Sequence, residues 1–403
     1  MIVDRTAFVF SYRVLARASG AVFQALCFVA LARQLGAVGF GAVAVGISIG
    51  AVVSILKGFG GGTRALRLGL EGERWRVASA MFAAQCGSAL LSGAASFVAV
   101  IALLDQEWWV AMVVAIVVAS DALCGLEQAV LAGAQRQLAS AGLILFQRAA
   151  PFILVLLSDF VGVQRILGYG VGAAIAAVPA VLLPIRDWHH PIGLSRLIST
   201  SRGYWLFNVI ECLGMLDTVL VRAFGGPTAA GLYSIANRVV NPINIVTSAI
   251  LSTITPAAAT AKRPEDQASI LRRSTAIAVI SGAAFVAAAP LIANVAIRVL
   301  GDGYGGAERM IVGFVVAAAL SGVSQTLVAR YVIEGRSLIL AFNLAIGIAL
   351  GLVSTVIAAS ANWPLLLWVC PIFMQSAILT ALAVNRRHRL RHGEPARKAP
   401  AHS

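Results

Sequence analysis

Apolar residues run for 20 or more positions at a time along this chain, and polar residues gather in the gaps between the runs. A helix needs about 20 apolar residues to cross a bilayer. That ruler predicts twelve spans, near 8–32, 38–57, 78–104, 109–131, 142–161, 165–185, 203–223, 229–254, 274–299, 309–333, 338–360 and 363–384. The gaps on one side are all short, the longest being LGDGYGGA from Leu300 to Ala307. The longest gap on the other side, RDWHHPIGLSRLISTSRG from Arg186 to Gly203, joins the first six spans to the last six. It reads as a plain connection, with Gly193 to Leu197 as a candidate short interfacial helix.

Two stretches echo each other. LARQLGAVGFGAVAVGISI runs from Leu31 to Ile49, and LDTVLVRAFGGPTAAGLYSIANRVVNP from Leu216 to Pro242. Arg33 and Gly36 sit three apart, as do Arg222 and Gly225, and Gly41 then corresponds to Gly231 with one residue inserted. Each stretch reads as two antiparallel spans joined by a tight turn. The chain therefore divides into similar halves. The expected organisation is all-α: 1–185 a six-helix bundle, 186–202 a cytoplasmic linker, 203–384 a second six-helix bundle, and 385–403 a basic tail, disordered beyond about Arg391. With six spans per half both halves enter the membrane from one side, so the repeat is parallel, about an axis along the membrane normal.

Composition agrees. Fifty-nine per cent of the 403 residues are hydrophobic and 12% charged, where a soluble domain carries about 25% charged residues. Mean hydropathy is +0.88. The net charge of +14 follows from loop charges and not from a nucleic-acid partner. With both termini in the cytoplasm, the outside Lys and Arg are only Arg33, Arg165, Arg222, Arg298 and Arg309. Arg148 and Arg238 fall within spans, and the rest of the 31 lie inside, as the positive-inside rule requires. No A-x-A cleavage site precedes the first span, so no cleaved signal peptide is expected. The five cysteines are scattered singly, so neither disulfides nor a zinc site are expected.

Charges inside spans are costly, about 2.5–3.5 kcal/mol each on insertion scales, and call for a reason. Arg13, Arg17 and Gln24 share one face of the first span. Arg148 lies about 9 Å into the fifth span, shortly before Pro151. Arg238 lies near mid-depth in the eighth, with Asn237 and Asn241 beside it, and Glu211 reaches a similar depth in the seventh. Arg17, Arg148, Arg238, Gln24, Asn237 and Asn241 are the candidate substrate-binding residues for an anion; the structural alternatives are snorkelling to the headgroups for Arg13, Arg17 and Arg148 and an Arg238–Glu211 ion pair. Asp121, Glu211 and Asp217 are the ion-coupling candidates, since a carboxyl at membrane depth can carry a proton; Glu127 is a further acidic group. The bland alternative for each is an interhelical hydrogen bond. There is no Walker A loop, HExxH or G-x-S-x-G, and no histidine falls in a span. No enzyme, metal site or cofactor is expected.

ALARQLGAVGFGAVAVGISI resembles the signature joining the first two helices of bacterial polysaccharide (O-antigen and exopolysaccharide) flippases. LDTVLVRAFGGPTAAGLYSIANRV resembles the matching signature of the seventh and eighth, through Asp217, Gly225, Gly231, Tyr233 and Ala236. Phe40-Gly41 stands where Tyr-Gly is frequent. These flippases belong to the multidrug/oligosaccharidyl-lipid/polysaccharide (MOP) exporter superfamily. The resemblance implies a carrier in the bacterial inner membrane. It would move an undecaprenyl-diphosphate-linked oligosaccharide between leaflets by alternating access, alongside a polysaccharide polymerase and assembly proteins. Related lipid-linked precursor flippases are similar in holding the pyrophosphate with arginines on the first and eighth helices, where Arg17 and Arg238 fall here. Arginine suits phosphate because its charge is permanent and its fork bidentate. The alternatives are a cation-coupled multidrug exporter of the same superfamily, which calls for an acid-lined cavity, and a membrane-embedded polymerase or ligase, which calls for a larger outside loop.

Overall fold

The computed structural model describes residues 2–65, 73–134, 136–259, 263–333, 337–361 and 366–391. It is all-helical: α1 (Ile2–Lys57), α2 (Gly61–Ala65), α3 (Arg74–Ala102), α4 (Trp108–Gly133), α5 (Gln137–Val161), α6 (Arg165–Arg186), α7 (Leu194–Leu213), α8 (Asp217–Ala259), α9 (Pro264–Leu300), α10 (Glu308–Ile333), α11 (Ser337–Ser360) and α12 (Cys370–Arg391). Among the described residues eight helices are long and apolar enough to cross a membrane, or nine if one bent pair is a single span. Large apolar side chains cover the outside, Phe160 being 86% and Leu90 75% exposed, as lipid-facing surfaces require.

Two of these helices are each a pair of spans. A straight α1, 56 residues long, would reach about 84 Å, against a hydrocarbon core of about 30 Å. It breaks at Gly36 (φ 65°, ψ 176°), and α8 breaks at Gly226 (φ 84°, ψ 178°). Only glycine adopts that conformation readily. Across the first break Phe28 and Phe40 meet edge to face at 6.1 Å; twelve residues of straight helix would hold them about 18 Å apart. Across the second, Tyr233 OH donates to Asp217 Oδ2 at 3.0 Å, sixteen residues away. Both stretches are therefore hairpins. Gly36 and Gly226 also set the register at 190 residues, one more than the Gly36–Gly225 match suggests.

The two hairpins pack backbone to backbone. A Cβ on Gly41 would lie 2.8 Å from Gly231 N and 2.9 Å from Pro227 O, and one on Gly231 would overlap Ala37 O. Ala37 and Pro227, like Gly41 and Gly231, are equivalent positions on the 190-residue register, so the contact is reciprocal. It marks one end of the Met1–Ile235 part of the chain, the hairpin end. There Arg165 also closes the α5–α6 turn on Asp159 (2.7 and 3.0 Å) and reaches Ala30 O at 3.2 Å.

Packing divides the chain into Met1–Ile235 and Ala236–Ser403. In the first unit α3 lies along α4, α5 along α6, α4 along α6, and α1 against α3 and α5. In the second, α9 lies along α10, α11 along α12, and α10 along α12. The α3–α6 and α9–α12 sets thus share one pairing scheme. Closely spaced glycines allow these approaches: Gly46 and Gly50 meet α3 and α4, and Gly347 and Gly351 meet α12.

The last helix, α12, is described from Cys370, with Pro371 in its first turn, where a missing N–H is tolerated; the expected start near residue 363 lies outside the described residues. One segment differs from expectation. The stretch joining the halves is helical from Leu194, and it is packed, not loose. Ile192 and Leu197 enter a core with Ala65, Met81, Phe82 and Leu126. His189 N donates to Ser79 Oγ, and Arg76 Nε to His190 O. Arg136 pairs with Asp187 at 2.6 Å and lies over the Trp75 ring. Buried Arg64 donates to Thr200 Oγ1 (2.5 Å), Ser201 Oγ (3.1 Å) and Leu197 O (3.4 Å). These contacts define the opposite, linker end.

Gly231→Ala should force the hairpins apart and cost about 1–3 kcal/mol as overpacking does, read as a lower melting temperature in detergent. Gly142→Ala, whose Cβ would meet nothing within 4 Å, should stay within about 0.5 kcal/mol. Arg64→Ala should release the linker, so that trypsin cuts at Arg186, Arg196 or Arg202 faster than in the wild type; an unchanged digestion rate would show that the Arg64 bonds do not hold it.

Candidate functional site

A polar cluster sits inside the first unit, where α1, α4, α5 and α6 meet. Arg17, Gly20, Gln24 and Cys27 are spaced three, four and three apart, so they line one face of the first arm of α1. That face addresses α5: a Cβ on Gly20 would lie 3.3 Å from Arg148 Cγ, so the Arg148 stem crosses α1 where there is no side chain. Arg148 precedes Pro151, which has no N–H and frees the carbonyl of Gln147 from the helix ladder.

The cluster is centred on Asp121 of α4. Arg148 Nη1 lies 3.2 Å and Gln147 Nε2 2.6 Å from Asp121 Oδ1. Gln128 Nε2 in turn donates to Gln147 Oε1. The chain Gln128–Gln147–Asp121–Arg148 thus satisfies a cation, a carboxylate and two amides that would otherwise lie bare at membrane depth. A small void beside it holds room for about one water; Gln24, Cys27, Ser120, Arg148 and Tyr169 line it.

Asp121 also borders a second and larger space. A cavity of about 270 Å³ lies toward the linker end of the same unit, between α1, α3, α4 and α7. Ser54, Gly58, Gly62, Gln85, Asp121 and Asn208 are among its walls. Gln85 is fixed there by bonds to Ser54 Oγ (3.4 Å) and Ala122 O (3.2 Å). Both bonds made by Asp121 use Oδ1, and Oδ2 takes no donor among the described residues. One carboxylate oxygen is therefore committed to Arg148 and Gln147, and the other is available.

The remaining sequence candidates are distributed as follows. Arg17 is half-buried, one turn from Gly20 on the face toward Arg148, and has no hydrogen-bond or ion-pair partner among the described residues. Gln24 is brought to Arg148; the side chain of Arg13 lies outside the described residues. Asp217 is buried and accepts from Tyr233 OH, Thr218 N and Thr218 Oγ1, so it ties its hairpin shut. The equivalent positions of the first hairpin, Cys27 and Val43, are also buried. Glu211 is exposed on α7, and Glu127 is buried further along α4. Asn237, Arg238 and Asn241 are half-buried on α8 in the second unit. Sequence reading passed over Gln85, Gln128, Gln147 and Asn208. Their signal was an amide in an apolar helix, weaker than a charge but costly for the same reason.

Asp121→Ala should strand Arg148 and Gln147 and cost about 1–3 kcal/mol. Adding Arg148→Met should recover much of that loss. Thermal unfolding of the two single variants and the double variant forms a cycle; strictly additive effects would mean the pair is not coupled.

No family model matches the chain, and no curated protein matches it in sequence. Solved structures do. The Lipid II flippase MurJ in an inward closed conformation superposes with TM-score 0.71 at 12% identity, over 94% of this chain and 87% of that one. A multidrug resistance MATE family transporter of the MOP superfamily, in its inward-facing conformation, gives 0.69 at 12% identity, over 94% and 98%. A MOP superfamily transporter from Pyrococcus furiosus, described as having a binding pocket of reversed polarity, gives 0.64 at 13% identity, over 96% of both chains. This chain has the fold of the MOP superfamily transporters.

Proposed function

We propose that this protein is a flippase of the bacterial inner membrane, with both termini cytoplasmic. It carries a polyprenyl-diphosphate-linked oligosaccharide from the inner to the outer leaflet by alternating access of its two six-helix halves. The observation that carries the reading is Arg17. A half-buried arginine with no partner among the described residues, on the face that addresses Arg148, offers a charge that a diphosphate would match. Arg148 is held ready by Asp121, and Gln24 offers amide donors and acceptors beside it. Arg238, Asn237 and Asn241 are the binding residues we assign to the second unit. The polyprenyl tail stays in lipid. Asp121, with one free carboxylate oxygen, is the group through which an ion gradient would act, and Glu211 and Asp217 follow it. Polymerase and assembly proteins of the same polysaccharide are the expected partners. The similar Lipid II flippase supports the reading by fold, and the similar MATE transporters support a multidrug exporter equally.

That second reading has its own observation. Asp121 borders a cavity of about 270 Å³ whose other walls are largely apolar, a setting that suits a hydrophobic organic cation.

Reconstituted vesicles carrying a fluorescent polyprenyl-diphosphate sugar separate the two readings. Arg17→Gln should slow flipping at least about tenfold, the loss of one charge-assisted hydrogen bond, with unchanged melting temperature. Arg17→Lys should retain part of the rate. Full flipping in Arg17→Gln would remove Arg17 from the site. Efflux of a cationic dye that Asp121→Asn abolishes, with no flipping in the wild type, would establish the exporter instead.

A further inference from the structure

The breaks at Gly36 and Gly226 place equivalent positions of the two hairpins 190 residues apart. On that register Arg222 falls where the first hairpin has Ala32, which is completely buried. Arg33 falls where the second hairpin has Ala223, which is exposed. The two arginines look equivalent in the sequence, yet the fold turns Arg33 outward and Arg222 inward.

Arg222 Nη1 is buried and has no hydrogen-bond acceptor among the described residues. Arg222 also makes no ion pair with any described residue. Its neighbour on the same arm, Asp217, is fully occupied by Tyr233 and Thr218 and is not its partner. The architecture does not require a cation here, since an alanine fills the equivalent place in the first hairpin. A buried guanidinium nitrogen without an acceptor is a standing cost that an apolar side chain would avoid. No acceptor among the described residues completes it, and an anionic oxygen from outside the chain would. A planar, permanently charged fork selects a phosphoryl group.

We propose that Arg222 is a second phosphate-binding residue, at the hairpin end, receiving the diphosphate of the carried lipid once it has left the Arg17–Arg148 face. The choice of ligand rests on the flippase reading above; the incomplete shell of Arg222 does not. On this view the hairpins do more than turn the chain. The second one holds a release site on the far side of the membrane from the entry site, and the sequence difference between Ala32 and Arg222 is what makes the two hairpins functionally unequal.

The test is thermal unfolding of the purified full chain in detergent, titrated with inorganic pyrophosphate against sulfate at matched ionic strength, and separately with phosphatidylglycerol. Wild-type protein should be stabilised by pyrophosphate. In Arg222→Gln the apparent dissociation constant should weaken about tenfold, while the unliganded melting temperature is equal or higher because a stranded cation has gone. Arg222→Lys, which keeps the charge and loses the fork, should fall between them, and it decides the matter if the Gln variant does not fold. A pyrophosphate response unchanged in both variants overturns the assignment. So does a stabilisation by phosphatidylglycerol alone that Arg222→Gln removes, since the occupant would then be an ambient lipid. If Arg17→Gln abolishes the pyrophosphate response and Arg222→Gln spares it, the flippase reading stands and the Arg222 site falls. No response in the wild type overturns both.

Discussion

The structure depends on a close approach of two backbones at Gly41 and Gly231. Each glycine faces the partner hairpin where a methyl group would collide with main-chain atoms, and main-chain atoms cannot step aside as a side-chain tip can. The approach is possible only because each hairpin first turns at a left-handed glycine, Gly36 or Gly226. The turn fixes the direction of the returning arm, and the second glycine fixes its distance. From there α1 is positioned against α3 and α5, and its polar face against Arg148. In a bilayer there is no hydrophobic gain in bringing helices together, so close packing of small residues is what holds such contacts.

The polar cluster follows a different rule. Its members are costly alone and tolerable together. Asp121 without Arg148, or Arg148 without Asp121, would be a bare ion at membrane depth. Gln147 and Gln128 extend the pair into a chain of hydrogen bonds, and only one oxygen of Asp121 is consumed in doing so. A fully satisfied network would be inert scaffolding. One that leaves a carboxylate oxygen and, nearby, an arginine without partners among the described residues retains capacity for a ligand or an ion.

Much of the fold was legible in the sequence. Apolar length alone gives the spans, and the doubled glycine pattern gives the hairpins and the repeat. The sequence left the offset at 189 or 190 because Gly225 and Gly226 are chemically the same, and only backbone geometry tells which one turns. Depth along a helix was readable for Asp121 and Arg148. Their pairing was not, since depth says nothing about which way a residue points around its helix. Asp217 read equally as an ion-coupling carboxyl or as half of an interhelical hydrogen bond, and the sequence did not name Tyr233, beyond the turn, as the donor. The packed linker was hidden for a related reason: Arg64 finds its acceptors more than 130 residues away, and nothing local marks it as buried.

The docked linker has a mechanical corollary. Chain from Asp187 to Ser201 is tied to α2, α3 and α4 by buried side chains and by Arg64, so it travels with them as a single rigid piece. The strap is therefore a fixed part of the first unit, which runs on through α7 and the 3-10 turn Gly214–Leu216 to Ile235. Loosening it would soften that unit from within, and not merely lengthen a tether between two bodies.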